Sequence, residues 1–150
     1  MLAERLRDDL TAAMKRRDEL ATSALRMALA GIKEASVSGK EARDLDDDEI
    51  IKVLTRQAKK REEAAEAFRH AGRADRADRE LAERDVLTAY LPAALSPEEL
   101  EAIVSEVLAG GAFSGMAAMG PAMKAVTARV AGRADGKVVS ALVRERLAAG

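Results

Sequence analysis

The chain has 150 residues, enough for one domain or two small ones. Its 25 basic residues balance 26 acidic ones, so its overall field excludes attraction to nucleic acid or to a membrane surface by net charge alone. The absence of Cys excludes disulfides, thiolate nucleophiles and Cys-ligated metal sites. Helix-forming Ala, Leu, Arg and Glu dominate, and the aromatic residues are only Phe68, Tyr90 and Phe113, so the composition favours helices over strands.

Four helices are predicted in the first part of the chain. A leucine at every fourth residue from Leu2, extended by Met14, marks the inward stripe of the first helix. Asp18 is suited to cap the second, in which Met27 is expected to face inward. Asp46 and Glu49 have the spacing of a capping box and begin a long third helix. Gly72 ends that helix, and a fourth helix stops before Pro92.

Three further helices are predicted after the Pro92–Pro97 segment, where the charge density falls. Ser96 caps the first of them, Pro97 occupies its first position and two Glu follow. Gly110–Gly111 ends that helix, the next runs from Gly120–Pro121 to Gly132, and Asp135 caps the last. A shared core is expected from Ile103, Val107, Val126, Val139 and Leu142, and Val138 is expected on the inner face of the last helix.

The predicted fold is therefore all-α, with an N-terminal four-helix lobe over residues 1–92 and a smaller three-helix C-terminal lobe over residues 97–150. The beginning of the chain has no apolar signal core, and no uncharged apolar run reaches membrane-spanning length. We expect a soluble, cytoplasmic protein with no membrane partner.

The last 31 residues differ from the rest in charge. Residues 120–150 contain six basic and two acidic residues, a local net charge of +4. Arg133 and Lys137 flank a turn that can present backbone N–H groups and solvent-exposed cations to phosphate. For Arg144 and Arg146, phosphate binding and a favourable interaction with the dipole at a helix C-terminus are equally good explanations. The dipole does not explain Arg133 and Lys137, because they lie at the start of a helix.

No catalytic residue, metal site or cofactor is predicted. His70 is the only imidazole, and its position near the end of the third helix suits a favourable interaction with the helix dipole. The acidic residues between Asp44 and Glu49 lack the spacing of a calcium-binding loop and belong to a helix start. The basic triplets at 15–17 and 59–61 are expected to be solvated helix faces paired with nearby acids.

Several segments in order resemble the GatB/YqeY family over essentially the whole chain. The most specific is Gly132–Val139, reading GRADGKVV. The others are Ala24–Met27, Gln57–Ala64 with Phe68, Ala71–Arg73, Tyr90–Pro92 with Leu95–Ser96, and Met119–Gly120 with Met123 and Val126. The resemblance implies an all-helical protein whose C-terminal lobe is similar to the tail of the GatB subunit of the tRNA-dependent Asp/Glu amidotransferase, which contacts the tRNA body.

Carried over by position, the resemblance implies that Lys124, Arg133 and Lys137 face RNA. Together with the basic segment, the candidate RNA-binding residues are Lys124, Arg129, Arg133, Lys137 and Arg144. The function expected is an accessory module that binds tRNA or a tRNA–enzyme complex and has no chemistry of its own. Two alternatives stay open: a helical protein-interaction module without RNA binding, and a part of a carbon–nitrogen ligase with glutamine as amido donor that acts only with partner subunits.

Overall fold

A computed structural model describes residues 1–149. Over this range the protein has seven α-helices, one short 3-10 helix and no strand, which confirms the all-helical class. The chain divides into two compact units, Met1–Leu91 and Pro92–Gly150. No helix in residues 1–149 has both the length and the apolar character needed to cross a bilayer.

The first unit contains α1 (Leu2–Lys15), α2 (Glu19–Ser36), α3 (Asp47–His70) and α4 (Ala74–Thr88). The predicted caps of α2 and α3 are confirmed. The Asp18 side chain accepts a hydrogen bond from Ala21 N at 3.0 Å, and Asp46 and Glu49 form a reciprocal capping box. Its core consists of small and medium side chains: Leu6, Ala13, Ala21, Leu25, Ala28, Ile32, Ile50, Leu54 and Leu87.

A buried ion pair joins α3 to α4. Arg61 and Glu83 are 8% and 6% exposed, and the guanidinium donates to the Glu83 carboxylate and, at 3.3 Å, to Glu80. Arg61 Nη2 also lies 3.1 Å from the Met27 sulfur on α2. The expectation of a fully solvated basic face at residues 59–61 is therefore wrong for Arg61, because its acidic partners come from α4, a pairing that reading α3 alone cannot give.

The second unit contains α5 (Pro97–Gly110), a 3-10 helix (Met116–Ala118), α6 (Met119–Val130) and α7 (Gly136–Ala149). The Ser96 cap is confirmed, and Glu99 completes a second capping box. The predicted core is confirmed for Val126 and Val139, which are buried, whereas Ile103, Val107 and Leu142 are half-buried against the same cluster. The fully buried set is Leu100, Val104, Ala122, Val126, Val130, Val139, Val143 and Leu147.

Three side chains predicted to face inward are largely exposed: Met14, Met27 and Val138. The buried stripe of α7 follows Val139, Val143 and Leu147 at every fourth residue, which turns Val138 to its flank. Met27 is 55% exposed although its sulfur contacts the buried Arg61. Each of these helices buries a narrower stripe than its apolar residues suggested.

The Glu49 capping box makes the stability of the first unit sensitive to acid. A hydrogen bond from the Arg43 guanidinium, followed by one from the Asp46 backbone N–H, lowers the pKa of Glu49 from 4.5 to about 2. A carboxyl whose pKa falls on folding stabilises the protein above its unfolded pKa and loses that contribution as pH falls through the folded value.

We therefore expect Glu49 to stabilise the fold at neutral pH, and this contribution to disappear between pH 4.5 and about pH 2. Glu49→Gln should flatten the dependence of the unfolding free energy on pH in this window. Glu63→Gln is the matched control, because Glu63 is an exposed carboxylate on the same helix. Urea unfolding followed by circular dichroism at several pH values measures both, and equal pH profiles for the two variants would refute the role given to Glu49.

Val139→Asp should destabilise the second unit by about 3 kcal/mol or more, because it buries an unpaired carboxylate. Val139 is 2% exposed, whereas the adjacent Val138 is 55% exposed. Val138→Asp makes the same chemical change at the surface and should shift stability by no more than about 0.5 kcal/mol. Thermal melts that showed the same shift for both variants would contradict the packing of α7.

Candidate nucleic-acid interface

The candidate surface begins at the turn between α6 and α7. Ala131 and Gly132 both adopt left-handed backbone conformations, with φ of 51° and 78°. Gly132 adopts this conformation without the steric penalty of a side chain. The Asp135 carboxylate then accepts a hydrogen bond from Lys137 N at 2.9 Å, which satisfies one of the free N–H groups at the start of α7. The turn therefore fixes the backbone position of Lys137 in the first turn of α7.

Arg133 lies in this turn and ties it to the segment before α5. Its Nε donates to Ala93 O at 3.0 Å, and its own carbonyl accepts from Leu95 N at 2.8 Å. The side chain is only partly exposed, so the expectation of a freely solvent-exposed Arg133 is corrected. Because the partner is a backbone carbonyl far away in sequence, no local pattern could have predicted this contact.

Two more cations of the basic segment have partners on α5. Arg129 Nη2 lies 2.7 Å from Glu106 Oε2, in an ion pair between α6 and α5 whose side chains are both at least half exposed. Arg146 Nη1 donates to Ser105 Oγ at 2.5 Å. Arg129 is therefore engaged in a contact within the unit, and sequence reasoning missed the role of Arg146 in joining α7 to α5.

Lys137 and Arg144 lie on the outward face of α7. Both are exposed, and neither makes an ion pair or side-chain hydrogen bond within residues 1–149. They stand about two helical turns apart, roughly 10 Å along the axis, on one exposed side of α7 about 100–120° around the axis from the centre of the buried stripe of Val139, Val143 and Leu147. Ala141, exposed between them, leaves both cations accessible.

Lys124 has the same character on α6. It is exposed, has no partner among the described residues, and faces away from Ala122, Val126 and Val130, the buried stripe of α6. The five candidates therefore divide into two groups. Lys124, Lys137 and Arg144 have no partner within residues 1–149, whereas Arg129 and Arg133 each make a contact within the second unit.

The only imidazole of the chain has no catalytic setting. His70 is 80% exposed at its side chain, and it faces the carboxylate of Glu66, with 3.8 Å between Nε2 and Oε1. A general base needs a nucleophile and an orienting group within hydrogen-bond reach. This exposed pair on one helix provides neither.

The fold is all-helical over residues 1–149, and exposed cations stand on α6 and α7 of its second unit. The family model described as Yqey-like protein matches residues 3–147, so the chain belongs to the YqeY-like family. It is also similar to an uncharacterized protein of Schizosaccharomyces pombe, with 36% identity over 88 residues that cover 58% of this chain and 69% of that protein.

The two contacts of Arg133 predict that it stabilises the second unit. Arg133→Ala should lower the unfolding free energy by about 1–2 kcal/mol, because a charged donor to a backbone carbonyl is lost. Lys137→Ala is the matched control, since it removes an exposed cation whose side chain has no partner within residues 1–149, and it should change stability by no more than about 0.5 kcal/mol. Equal urea midpoints for the two variants would show that the Arg133 contact contributes nothing.

Proposed function

We propose that this protein is a tRNA-binding accessory module that holds RNA on the outward face of α7 and performs no chemistry of its own. The observation that carries the proposal is the pair Lys137 and Arg144, exposed on one helical face within a segment of net charge +4 and unpaired among residues 1–149. Lys124 on α6 is a third free cation of this part of the chain. The resemblance of this lobe to the tail of the GatB subunit of the amidotransferase is the reason to name tRNA as the ligand.

The mode of binding follows from which side chains are present. Cations that neutralise phosphates release counterions and give affinity without sequence reading. Proteins recognise the bases of single-stranded RNA by stacking them on several aromatic side chains. Phe113 is the only aromatic residue of this sequence after Pro92. We therefore infer recognition of the backbone and shape of a folded RNA.

The strength of binding is limited by the number of free cations. At most about three phosphate contacts are available, which implies a slope near −3 in a plot of log affinity against log salt concentration. The dissociation constant of the isolated protein should lie at roughly 10⁻⁴ to 10⁻⁶ M at physiological salt. Such weak binding suits a module that acts beside a partner that holds the same tRNA.

The test compares two double variants of equal charge change. Lys137→Gln with Arg144→Gln should weaken tRNA binding and flatten the salt slope by about two contacts. Arg129→Gln with Arg146→Gln removes the same charge from cations that have partners within the unit, so its salt slope should stay close to that of the parent. Fluorescence anisotropy titrations of labelled tRNA at several salt concentrations measure both, with circular dichroism to verify folding.

Equal losses in the two double variants would mean that only net charge matters and that no face of α7 is used. No binding by the parent at low salt would favour the alternative, a helical protein-interaction module. That alternative has its own structural basis, because Val138 and Met116 are 55% and 50% exposed in the second unit. Isolated exposed apolar residues are common on protein surfaces, which makes RNA binding the preferred proposal.

A further inference from the structure

An open cavity of about 310 Å³ lies at the surface of the second unit, beside α5 and α7 and on the opposite side of α7 from Lys137. Its apolar lining comes from Leu108, Phe113 and Leu147, and its polar end is formed by Ser105 and Arg146. At about 30 Å³ for each water-sized group, this volume holds a molecule of roughly ten non-hydrogen atoms. Small-molecule sites combine the same elements, an apolar lining with a few fixed polar groups.

Arg146 is the charged group of this cavity, and no carboxylate among residues 1–149 lines it. The residue is partly buried, and its guanidinium donates through Nη1 to Ser105 Oγ at 2.5 Å and makes no ion pair within the same residues. A guanidinium has five N–H donors, so several stay available. Partial burial increases the attraction between this cation and an anion, and two parallel N–H groups match the two oxygens of a carboxylate.

Phe113 forms an apolar wall whose position depends on Gly111. A Cβ at residue 111 would lie 2.2 Å from the Phe113 ring, so the ring folds directly over the glycine. Any other residue at 111 would displace the ring. The absence of a side chain at Gly111 is thus what allows the ring to lie against the backbone.

We propose that this cavity binds a small apolar molecule that ends in a carboxylate, with the carboxylate on Arg146 and the apolar part against Leu108, Phe113 and Leu147. The inference is independent of RNA binding. Arg144 and Arg146 lie on different faces of α7, so the same helix would present one arginine to phosphates and the other to this ligand.

The test uses octanoate and octanol as probes on the full chain, followed by amide chemical shifts in ¹H–¹⁵N spectra. The two probes share an apolar chain and differ in the carboxylate. Octanoate should give saturable shifts at millimolar concentration, centred on Leu108, Phe113 and Leu147. Arg146→Gln should weaken octanoate binding about tenfold or more, the loss expected for a charged hydrogen bond, and leave octanol binding unchanged. Arg144→Gln should bind octanoate as the parent does.

Phe113→Ala is a second variant that keeps the proposal testable if Arg146→Gln unfolds. It should weaken both probes, because it removes the apolar wall without touching the charge. The proposal is overturned if octanoate gives no saturable shifts, if the shifts lie outside this cavity, or if Arg144→Gln reduces octanoate affinity as much as Arg146→Gln does. A result in which Phe113→Ala leaves both affinities unchanged would also overturn it.

Discussion

The arrangement of the second unit depends on Arg133, which joins the segment before α5 to the turn between α6 and α7. One residue donates from its side chain to Ala93 and accepts at its backbone from Leu95, so two distant parts of the chain meet at a single position. Asp135 then caps α7 directly after this junction. Contacts within the second unit therefore fix the start of α7 and, with it, the position of Lys137.

The cations of the basic segment therefore fall into two groups, those that make contacts within the second unit and those that are exposed to solvent. Arg129, Arg133 and Arg146 bind a carboxylate, a carbonyl and a hydroxyl within the unit. Lys124, Lys137 and Arg144 are exposed and have no partner among residues 1–149. A local charge of +4 thus overstates the cations that project freely from the described part of this segment, because Glu106 pairs with Arg129 and because Arg133 and Arg146 are each oriented by a contact within the unit. Weak binding follows from this division.

Local rules predicted the helices well, because their signals lie within a few residues. Asp18, Asp46 and Ser96 cap helices as their spacing indicates, and Gly72 takes the left-handed conformation just after α3. The all-helical class and the YqeY-like family were likewise accessible from residue patterns in order. Such features depend on hydrogen bonds and dihedral angles that neighbouring residues determine.

Contacts between helices were not predictable in the same way. The sequence places Arg61 in a basic triplet expected to be solvated, yet Arg61 forms a buried ion pair with Glu83 on α4. Arg133 was expected to be an exposed phosphate ligand, whereas its side chain donates a hydrogen bond to the carbonyl of Ala93. In both cases the partner is supplied by tertiary packing. Lys137 and Arg144, about two turns apart on one side of α7, were the part of the candidate site that helical periodicity could place.

Crosslinking in cells tests the central claim most directly. The full chain is irradiated in cells with ultraviolet light and purified under denaturing conditions, its RNA is sequenced, and the crosslinked peptides are mapped by mass spectrometry. Our account predicts that tRNA is enriched over total cellular RNA and that the crosslinked peptides come from α6 and α7, including the surroundings of Lys137 and Arg144. Recovery of no RNA above the unirradiated control, or crosslinks confined to residues 1–91, would contradict it.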